Sequence, residues 1–437
     1  MSLASTAPGL LSETKGFLRA AACFDEAGTV DAYLLFEAAL AEVQGALGVI
    51  PAEAAPVITN ACCREALDME LLRQRAATIG YPIVPLADMV AECAGEQGRW
   101  VHYGTTTQDV MDTAQVLQLR AALAPALEEL QAIENLLVAL TVRYRRTPMA
   151  GRSKLQHGVP IPFGYKTAVW LDQIYRCRLG LQRALLEASV LQFGGAVGTL
   201  AALGDRGIEV RAALARRLKL AEPDISWHVR RDRMVSLASG VAVTMAAIAR
   251  MAGDVTLLMS TEVAELREPA AAGRGSSSTM PQKRNPVISE AIIEASRESN
   301  HTVGELLGTM QQEHERGIGH GYRERAAMAK QVTRFCGVVS LAQELLTGLE
   351  VDAGRMARNL GLTGEQIQSE AIMIELARKI GRIEAHHLLH KLSHGVTDLR
   401  SHLRDKFGLA IPCDEELTAK QLESAQGMID CVLATVG

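Results

Sequence analysis

The spacing of apolar residues along the chain most strongly constrains its fold. Between residues 109 and 146 apolar side chains recur at the three- and four-residue spacing of an α-helix, with Pro125 between two such sets. Asp109, at the start of this pattern, is predicted to be an N-cap or first-turn acid. The long helices predicted in this way cover residues 109–146, 171–190, 229–267, 290–310 and 325–349. Because alternating strand patterns are scarce, we expect an all-α protein built around a helical bundle.

Breaks in the helical pattern divide the 437-residue chain into three predicted domains. Residues 1–104 form an N-terminal helical domain, residues 105–350 a central long-helix domain, and residues 351–437 a C-terminal domain of shorter helices. Each is long enough to enclose a hydrophobic core of its own.

The charge balance argues against nucleic acid as a partner. The chain has 45 Lys and Arg against 50 Asp and Glu, a net charge of −5, whereas a nucleic-acid binder normally has a basic excess. A local basic pocket for a small anionic substrate remains compatible with this composition.

The cysteine pattern indicates neither a metal site nor a disulfide framework. The eight cysteines include no C-x-x-C pair, and only Cys62 and Cys63 are close in sequence. We therefore expect no bound metal and mostly buried, reduced cysteines.

Targeting signals are not apparent, and we expect a cytoplasmic protein that does not bind membranes. The N-terminal residues lack the basic start and apolar run of a secretory signal. The longest apolar stretch, residues 239–259, is interrupted by Arg250 and Asp254, which disfavours a membrane span.

Residues 273–286, with the sequence GRGSSSTMPQKRNP, carry the sharpest chemical signal. Glycines and serines make the first part pliable, while Pro281 and Pro286 stiffen the far end. A serine can act as a base if loop closure removes water and if nearby amides and cations stabilise its alkoxide. The ordered run of Met, Pro, Lys, Asn and Pro is unnecessary in a plain linker, so we predict a catalytic loop.

This loop resembles the signature loop of the fumarase/aspartase superfamily. Residues 101–113 (VHYGTTTQDVMDT) and 151–160 (GRSKLQHGVP) resemble the other two regions of that superfamily in the same order, and the matches span about residues 36–399. The resemblance implies an all-α homotetramer with a twenty-helix core, active sites shared between subunits, and chemistry without a cofactor.

The resemblance also assigns roles to individual residues. Ser277 aligns with the catalytic serine base. His157 stands where one branch keeps a histidine, so we expect it to be the general acid or to assist the general acid. The residues predicted to bind substrate are His102, Thr106, Thr107, Arg152, Lys154, Gln156, Ser278, Met280, Lys283, Asn285, Arg316 and Arg325. Cations and amides suit this role because proton removal next to a carboxylate creates a doubly charged aci-carboxylate.

Two branches of the superfamily fit the remaining segments. Residues 192–203, 312–316 and 385–389 resemble bacterial cycloisomerases that convert 3-carboxy-cis,cis-muconate, a tricarboxylate, to a carboxymuconolactone. Residues 195–199 and the spacing of Glu315-Arg316 to Glu324-Arg325 are also similar to adenylosuccinate lyase. We predict the cycloisomerase activity. The alternatives are adenylosuccinate lyase, another fumarate-releasing C–N lyase that acts on a dicarboxylate, and a catalytically silent structural homologue.

Overall fold

A computed structural model describes residues 9–392 and 399–437. Within these residues the chain is predominantly helical, and its strands form two short pairs, which confirms the predicted all-α fold class. The described chain forms two compact units, each assembled from three segments. The first contains the residues up to Leu130 with Cys177–Ala249 and Ala291–Ala342, and the second contains Gln131–Arg176, Arg250–Glu290 and Gln343–Gly437. The division into three domains stays a prediction.

The N-terminal part of the first unit consists of six helices. They are α1 (Gly9–Ser12), α2 (Lys15–Phe24), α3 (Glu26–Ala46), α4 (Ala54–Ala61), α5 (Met69–Ile79) and α6 (Ile83–Ala94). Side chains cap several of them. Asp68 precedes α5 and accepts hydrogen bonds from the amides of Glu70 and Leu71, which supplies acceptors for free N–H groups of the first turn.

All five predicted long helices are present. Together with the shorter α9, the next helices are α7 (Thr107–Arg143), α8 (Phe163–Ala188), α9 (Gly207–Leu218), α10 (Asp232–Leu258), α11 (Val287–Gly308) and α12 (His320–Thr347). Helix α7 runs through Pro125 without interruption, and Asp109 lies in its first turn as predicted. Helix α10 ends at Leu258, short of the predicted residue 267, because the chain turns there and Ala264 adopts a left-handed conformation.

Helix α10 is the described helix that is long and apolar enough to cross a membrane by length and composition. Within its apolar window 61% of the residues are buried inside the protein, as in a core helix. Val241, Met245 and Ile248 are completely buried, so its hydrophobicity is used in packing.

The strands lie in the second unit. Strand β1 (Pro148–Ser153) pairs antiparallel with β2 (Gln156–Pro162), and β3 (Leu266–Arg267) pairs antiparallel with β4 (Glu350–Val351). The β1–β2 hairpin carries the segment that resembles the second region of the superfamily.

Short helices complete the second unit. They are α13 (Ala353–Leu360), α14 (Ser369–Ile380), α15 (Arg382–Leu392), α16 (Leu399–Phe407), α17 (Asp414–Ser424) and α18 (Gln426–Val436). Ile372, Leu376, Ala385, Leu403 and Leu409 form a buried cluster from α14 to the residues after α16. Short 3₁₀ segments occur in the first unit at Arg64–Ala66, Gly95–Trp100 and Ala201–Arg206, and in the second unit at Gly361–Gln368.

The prediction that most cysteines are buried is wrong. Of the eight, only Cys336 is buried, and Cys63, Cys93, Cys413 and Cys431 are exposed. The cysteine side chain is small enough to be accommodated on an exposed face, so the residue type alone does not determine burial. None of the eight forms a disulfide.

Candidate active site

The first unit contains a cavity of about 460 Å³ lined by four of the predicted binding residues. Thr106 and Thr107 reach it from the start of α7, and Arg316 and Arg325 reach it from the loop before α12 and from α12 itself. Residues far apart in sequence are therefore brought together in one cavity.

Arg316 lies in this cavity with only neutral hydrogen-bond partners among the described residues. Its Nη1 donates to Thr106 Oγ1 at 2.9 Å, and its Nε donates to Gln108 Oε1 at 3.2 Å. A longer contact of 3.5 Å joins Nη1 to the carbonyl oxygen of Ala196. Because these acceptors carry no charge, they do not compensate the positive charge of the guanidinium, which can therefore bind an anion.

The other two arginines of the cavity are neutralised. Arg231 is buried, and it donates to Asp112 Oδ2 at 2.9 Å and to Glu324 Oε2 at 2.7 Å. Burial alone would lower the pKa of Arg231, but the carboxylates of Asp112 and Glu324 raise it above its usual value. Arg325 donates to Asp112 Oδ1 at 3.3 Å and lies over the ring of Tyr322, 5.2 Å from its centroid. Asp112 and Glu324 therefore balance the charges of Arg231 and Arg325.

His102 does not line this cavity. It forms an ion pair with Glu37 instead. Its Nδ1 lies 2.6 Å from Oε1 of Glu37, a side chain with 1% exposure. Burial lowers the pKa of His102, yet the charge and hydrogen bond of Glu37 outweigh burial and raise the pKa above its usual value. The backbone of His102 is left-handed, with a φ of 61°.

The β1–β2 hairpin positions the second group of predicted residues. Lys154 and Leu155 form its tip, and both have a positive φ, 52° and 66°, as a two-residue type I′ turn requires. Gln156 follows in β2, and Arg152 pairs across the hairpin with His157. Lys154, Leu155 and Gln156 are exposed.

Arg152 and His157 line a cavity of about 620 Å³ in the second unit. Arg152 forms a two-pronged ion pair with the buried Glu265, at 3.0 and 2.7 Å, and Asn359 donates to the same carboxylate. Burial and the charge of Arg152 lower the pKa of His157, and Glu265 opposes them. Nδ1 of His157 is buried and has no hydrogen-bond partner among the described residues.

The loop 273–286 folds back on itself and holds the predicted serine at its centre. The amide of Asn285 donates to the carbonyl of Gly275 at 2.9 Å, and a β-bridge joins Ser276 to Arg284. Gly275 has a φ of 67°, and an added Cβ would lie 2.6 Å from the Asn285 carbonyl oxygen, so the closure requires glycine.

Within this loop Ser277 differs from its two serine neighbours. Its Oγ accepts from the amides of Met280, at 3.2 Å, and Thr279, at 3.4 Å. Ser276 instead donates to the carbonyl of Gly273, and Ser278 is exposed. Two N–H dipoles aimed at one hydroxyl oxygen favour its deprotonated form.

The other polar residues of the loop differ in how strongly they are held. Lys283 is exposed and Asn285 is half-buried, so both side chains are accessible to a ligand bound at the loop. Arg284 donates to Glu350 at 3.1 Å and is thereby held at the base of the loop. The side chain of Met280 is 44% exposed.

Sequence reasoning missed several polar residues around the predicted ones. Gln108, Glu265 and Glu37 pair with Arg316, Arg152 and His102, respectively. Gln108 is adjacent in sequence to Thr107 and could have been included. The two glutamates are distant from their partners in sequence and have no local motif. In residues 9–392 and 399–437, no three His, Cys, Asp or Glu side chains are grouped to hold a metal ion.

The chain is similar to several known proteins. The model of a lyase family matches residues 20–298. The 3-carboxy-cis,cis-muconate cycloisomerase of Pseudomonas aeruginosa is 43% identical over 92% of this chain and 88% of its own. A relative with another activity, trans-aconitate decarboxylase 1 of Mycosarcoma maydis, is 37% identical over 89% of this chain and 79% of its own.

A solved structure extends the likeness to the whole chain. The crystal structure of 3-carboxy-cis,cis-muconate lactonizing enzyme from Pseudomonas putida superimposes with a TM-score of 0.87 at 35% identity, covering 100% of this chain and 98% of that one. The chain therefore belongs to the lyase family and is an enzyme of the fumarase/aspartase superfamily.

Proposed function

We propose that this enzyme is a cofactor-independent cycloisomerase that interconverts 3-carboxy-cis,cis-muconate and a carboxymuconolactone. The names of the similar proteins support this substrate. The observation that carries the chemistry is the placement of Ser277 Oγ against two loop amides, in the same loop as Lys283 and Asn285. Such a serine can exchange a proton with a carbon next to a carboxylate.

Ser277 moves the proton in both directions of the reaction. In lactone formation, one substrate carboxylate oxygen bonds to a carbon of the double bond, and the adjacent carbon, next to a second carboxylate, takes a proton from Ser277. One proton is consumed overall, and one carboxylate charge is lost in the ester. In lactone opening the Ser277 alkoxide removes that proton, and the C–O bond breaks to release the carboxylate.

Three sets of side chains, contributed by the subunits that share one active site, bind the three carboxylates in this proposal. Lys283 and Asn285, with Ser278 and Met280 beside them, contact the carboxylate that becomes an aci-carboxylate. Thr106, Thr107 and Arg316 bind another carboxylate, and the uncompensated charge of Arg316 supports this assignment. Lys154 and Gln156 at the hairpin tip approach the third.

Four further predicted residues act close to these ligands. His157 donates a hydrogen bond or a proton to the departing group. His102, Arg152 and Arg325 line or support the binding surfaces. Their carboxylate partners are Glu37, Glu265 and Asp112, respectively.

We propose that the active enzyme is a cytoplasmic homotetramer with active sites shared between subunits. Large apolar side chains on the long helices support an assembly, since Leu186, Val243 and Leu257 are 73%, 60% and 53% exposed. Light scattering at micromolar concentration tests this assembly: four times the 47.0 kDa chain mass is expected, and a monomer contradicts it.

The substrate is tested by an ultraviolet assay. Turnover of 3-carboxy-cis,cis-muconate is seen as loss of the absorbance of its conjugated diene. Fumarate release from adenylosuccinate or another amine adduct would instead show a C–N lyase, and the resemblance of residues 195–199 to adenylosuccinate lyase justifies including these substrates. Trans-aconitate is included because one relative is named trans-aconitate decarboxylase 1. No turnover of any substrate supports the catalytically silent homologue.

Calorimetry with adenosine monophosphate separates the first two activities. Arg325 is the candidate phosphate ligand in an adenylosuccinate lyase, although Asp112 neutralises it here. The proposed cycloisomerase should bind the nucleotide no better than about millimolar, close to −4 kcal/mol. Micromolar binding that disappears in Arg325→Met would favour the lyase.

A further inference from the structure

Asp109 lies beneath the first cavity and is completely buried. Its Oδ1 accepts from the amide of Gly194 at 2.9 Å, and its Oδ2 accepts from the amides of Gly195 at 2.8 Å and Thr106 at 3.2 Å. One carboxylate therefore joins the start of α7 to a loop more than eighty residues away in sequence. A buried carboxylate held by several N–H donors is strongly oriented.

A chain of hydrogen bonds that starts at Gln192 also holds this carboxylate. Nε2 of Gln192 donates to Ser226 Oγ at 2.9 Å, Ser226 Oγ lies 3.1 Å from His228 Nδ1, and His228 Nε2 lies 2.7 Å from Asp109 Oδ1. Because a carboxylate only accepts, the His228 tautomer that carries its proton on Nε2 satisfies every member of the chain. His228 is 2% exposed, so it is shielded from a ligand in the cavity.

The two segments tied to Asp109 also hold Arg316. Thr106, whose amide donates to Asp109, accepts from Arg316 through its hydroxyl. Ala196, directly after the bound Gly195, accepts from Arg316 through its carbonyl. Gly195 has a φ of 71°, a conformation that residues with a side chain rarely adopt, so the loop requires glycine at this position.

We infer that Asp109 and His228 are positioning residues for the anion subsite made by Thr106 and Arg316. This inference deepens the proposed function and rests on it. Neither residue contacts the substrate. Together they set the spacing between the Thr106 hydroxyl and the Ala196 carbonyl, and that spacing orients the guanidinium toward a carboxylate.

The kinetic test compares two substitutions of His228. His228→Leu removes the donor to Asp109 and should raise KM for 3-carboxy-cis,cis-muconate about tenfold or more, with a smaller change in kcat, as when uniform binding is lost. His228→Gln places an amide N–H near the position of Nε2 and should recover most of the affinity. Gln331→Leu removes a buried hydrogen-bonding side chain that does not line the cavity, so it should lower Tm but leave KM unchanged.

A double-mutant cycle separates positioning from general destabilisation. If His228 acts through Arg316, His228→Leu should raise KM no more than about twofold when Arg316→Met is already present. Additive effects would overturn the inference while leaving the proposed function intact. Ser226→Ala, which removes only the hydroxyl behind His228, provides a milder variant if His228→Leu does not fold.

Hydrogen exchange tests the same inference without a substrate. The amides of Gly194 and Gly195 should exchange at least about tenfold faster in His228→Leu or Ser226→Ala than in the wild type and in Gln331→Leu, because their acceptor is released. Unchanged exchange would refute the inference even if the enzyme did not turn over carboxymuconate.

Discussion

Nη1 of Arg316 lies 2.9 Å from the hydroxyl of Thr106, although the two residues are separated by 210 positions in the chain. Arg231 and Arg325 in the same cavity have Asp112 as a counter-ion, whereas the described partners of Arg316 are neutral. The contact therefore joins two polar groups that are both available to an anion. In the proposed reaction that anion is a substrate carboxylate.

Arg316→Met should raise KM about 100-fold and lower kcat less, because a charge-assisted hydrogen bond contributes about 1.5–3 kcal/mol to binding. Steady-state kinetics with carboxymuconate measure both constants. The matched control is Arg206→Met, an exposed arginine that is ion-paired to Glu209 and does not line the cavity. Equal losses for the two variants would contradict the assigned subsite.

Ser277→Ala should reduce kcat by at least about 100-fold while the fold is retained, which is the scale expected for losing an acid–base group. Ser276 and Ser278 supply matched controls within the same loop. Their alanine variants should reduce kcat less, since of the three serines only Ser277 accepts hydrogen bonds from the amides of Thr279 and Met280. A larger loss in Ser278→Ala would show that the register of the loop is misassigned.

His157 reports on the chemical nature of the leaving group. A departing carboxylate is stable as an anion, whereas a departing amine must be protonated. His157→Gln should therefore lower kcat less than about tenfold in a cycloisomerase and about 100-fold or more in a C–N lyase. Assays with carboxymuconate and with any amine substrate that the screen reveals decide between the two. A 100-fold loss with carboxymuconate would show that the lactone pathway also needs an acid.

The pair of His102 and Glu37 should make stability depend on pH. Since the folded pKa of His102 is raised above its unfolded value of about 6.5, its stabilising contribution is fully present below pH 6.5 and is lost as pH rises through the folded pKa. The difference in Tm between wild type and His102→Gln should therefore be larger at pH 6 than at pH 9. Scanning calorimetry at one scan rate measures it, with the exposed His301→Gln as control. A difference that grows with pH would exclude the ion pair as its source.

Leu155→Gly should stabilise the protein. Leu155 has a φ of 66° and a side chain that is 74% exposed, so glycine relieves backbone strain of about 1–2 kcal/mol while little packing is lost. The gain is reduced by the greater freedom of glycine in the unfolded chain. Leu18→Gly is the matched control, because Leu18 is 51% exposed but lies within α2, where glycine should lower Tm. A lower Tm for both variants would contradict a strained hairpin tip.

Local sequence determined the helices and the chemistry-bearing segments of this protein. Apolar spacing predicted all five long helices because burial of one face imposes the helical period directly on the sequence. The loop around Ser277 and the Thr106–Thr107 helix start were recognisable because their residues are contiguous. The helix ends were less accurate: α10 ends at Leu258, where a turn follows that the apolar pattern does not reveal.

Only the tertiary structure decided which of the predicted cations keep their charge available. Arg152, Arg316 and Arg325 are equivalent in sequence terms, yet Glu265 and Asp112 neutralise the first and the third. The alignment of Asp109 with Gly194, Gly195 and His228 was likewise unpredictable, although its place in the first turn of α7 was foreseen. Ion pairs and hydrogen bonds act over a few ångströms in space between residues whose separation in sequence leaves no periodic signal. The tertiary structure therefore decides which ion pairs and hydrogen bonds form, whereas the sequence by itself determines the helices and the contiguous motifs.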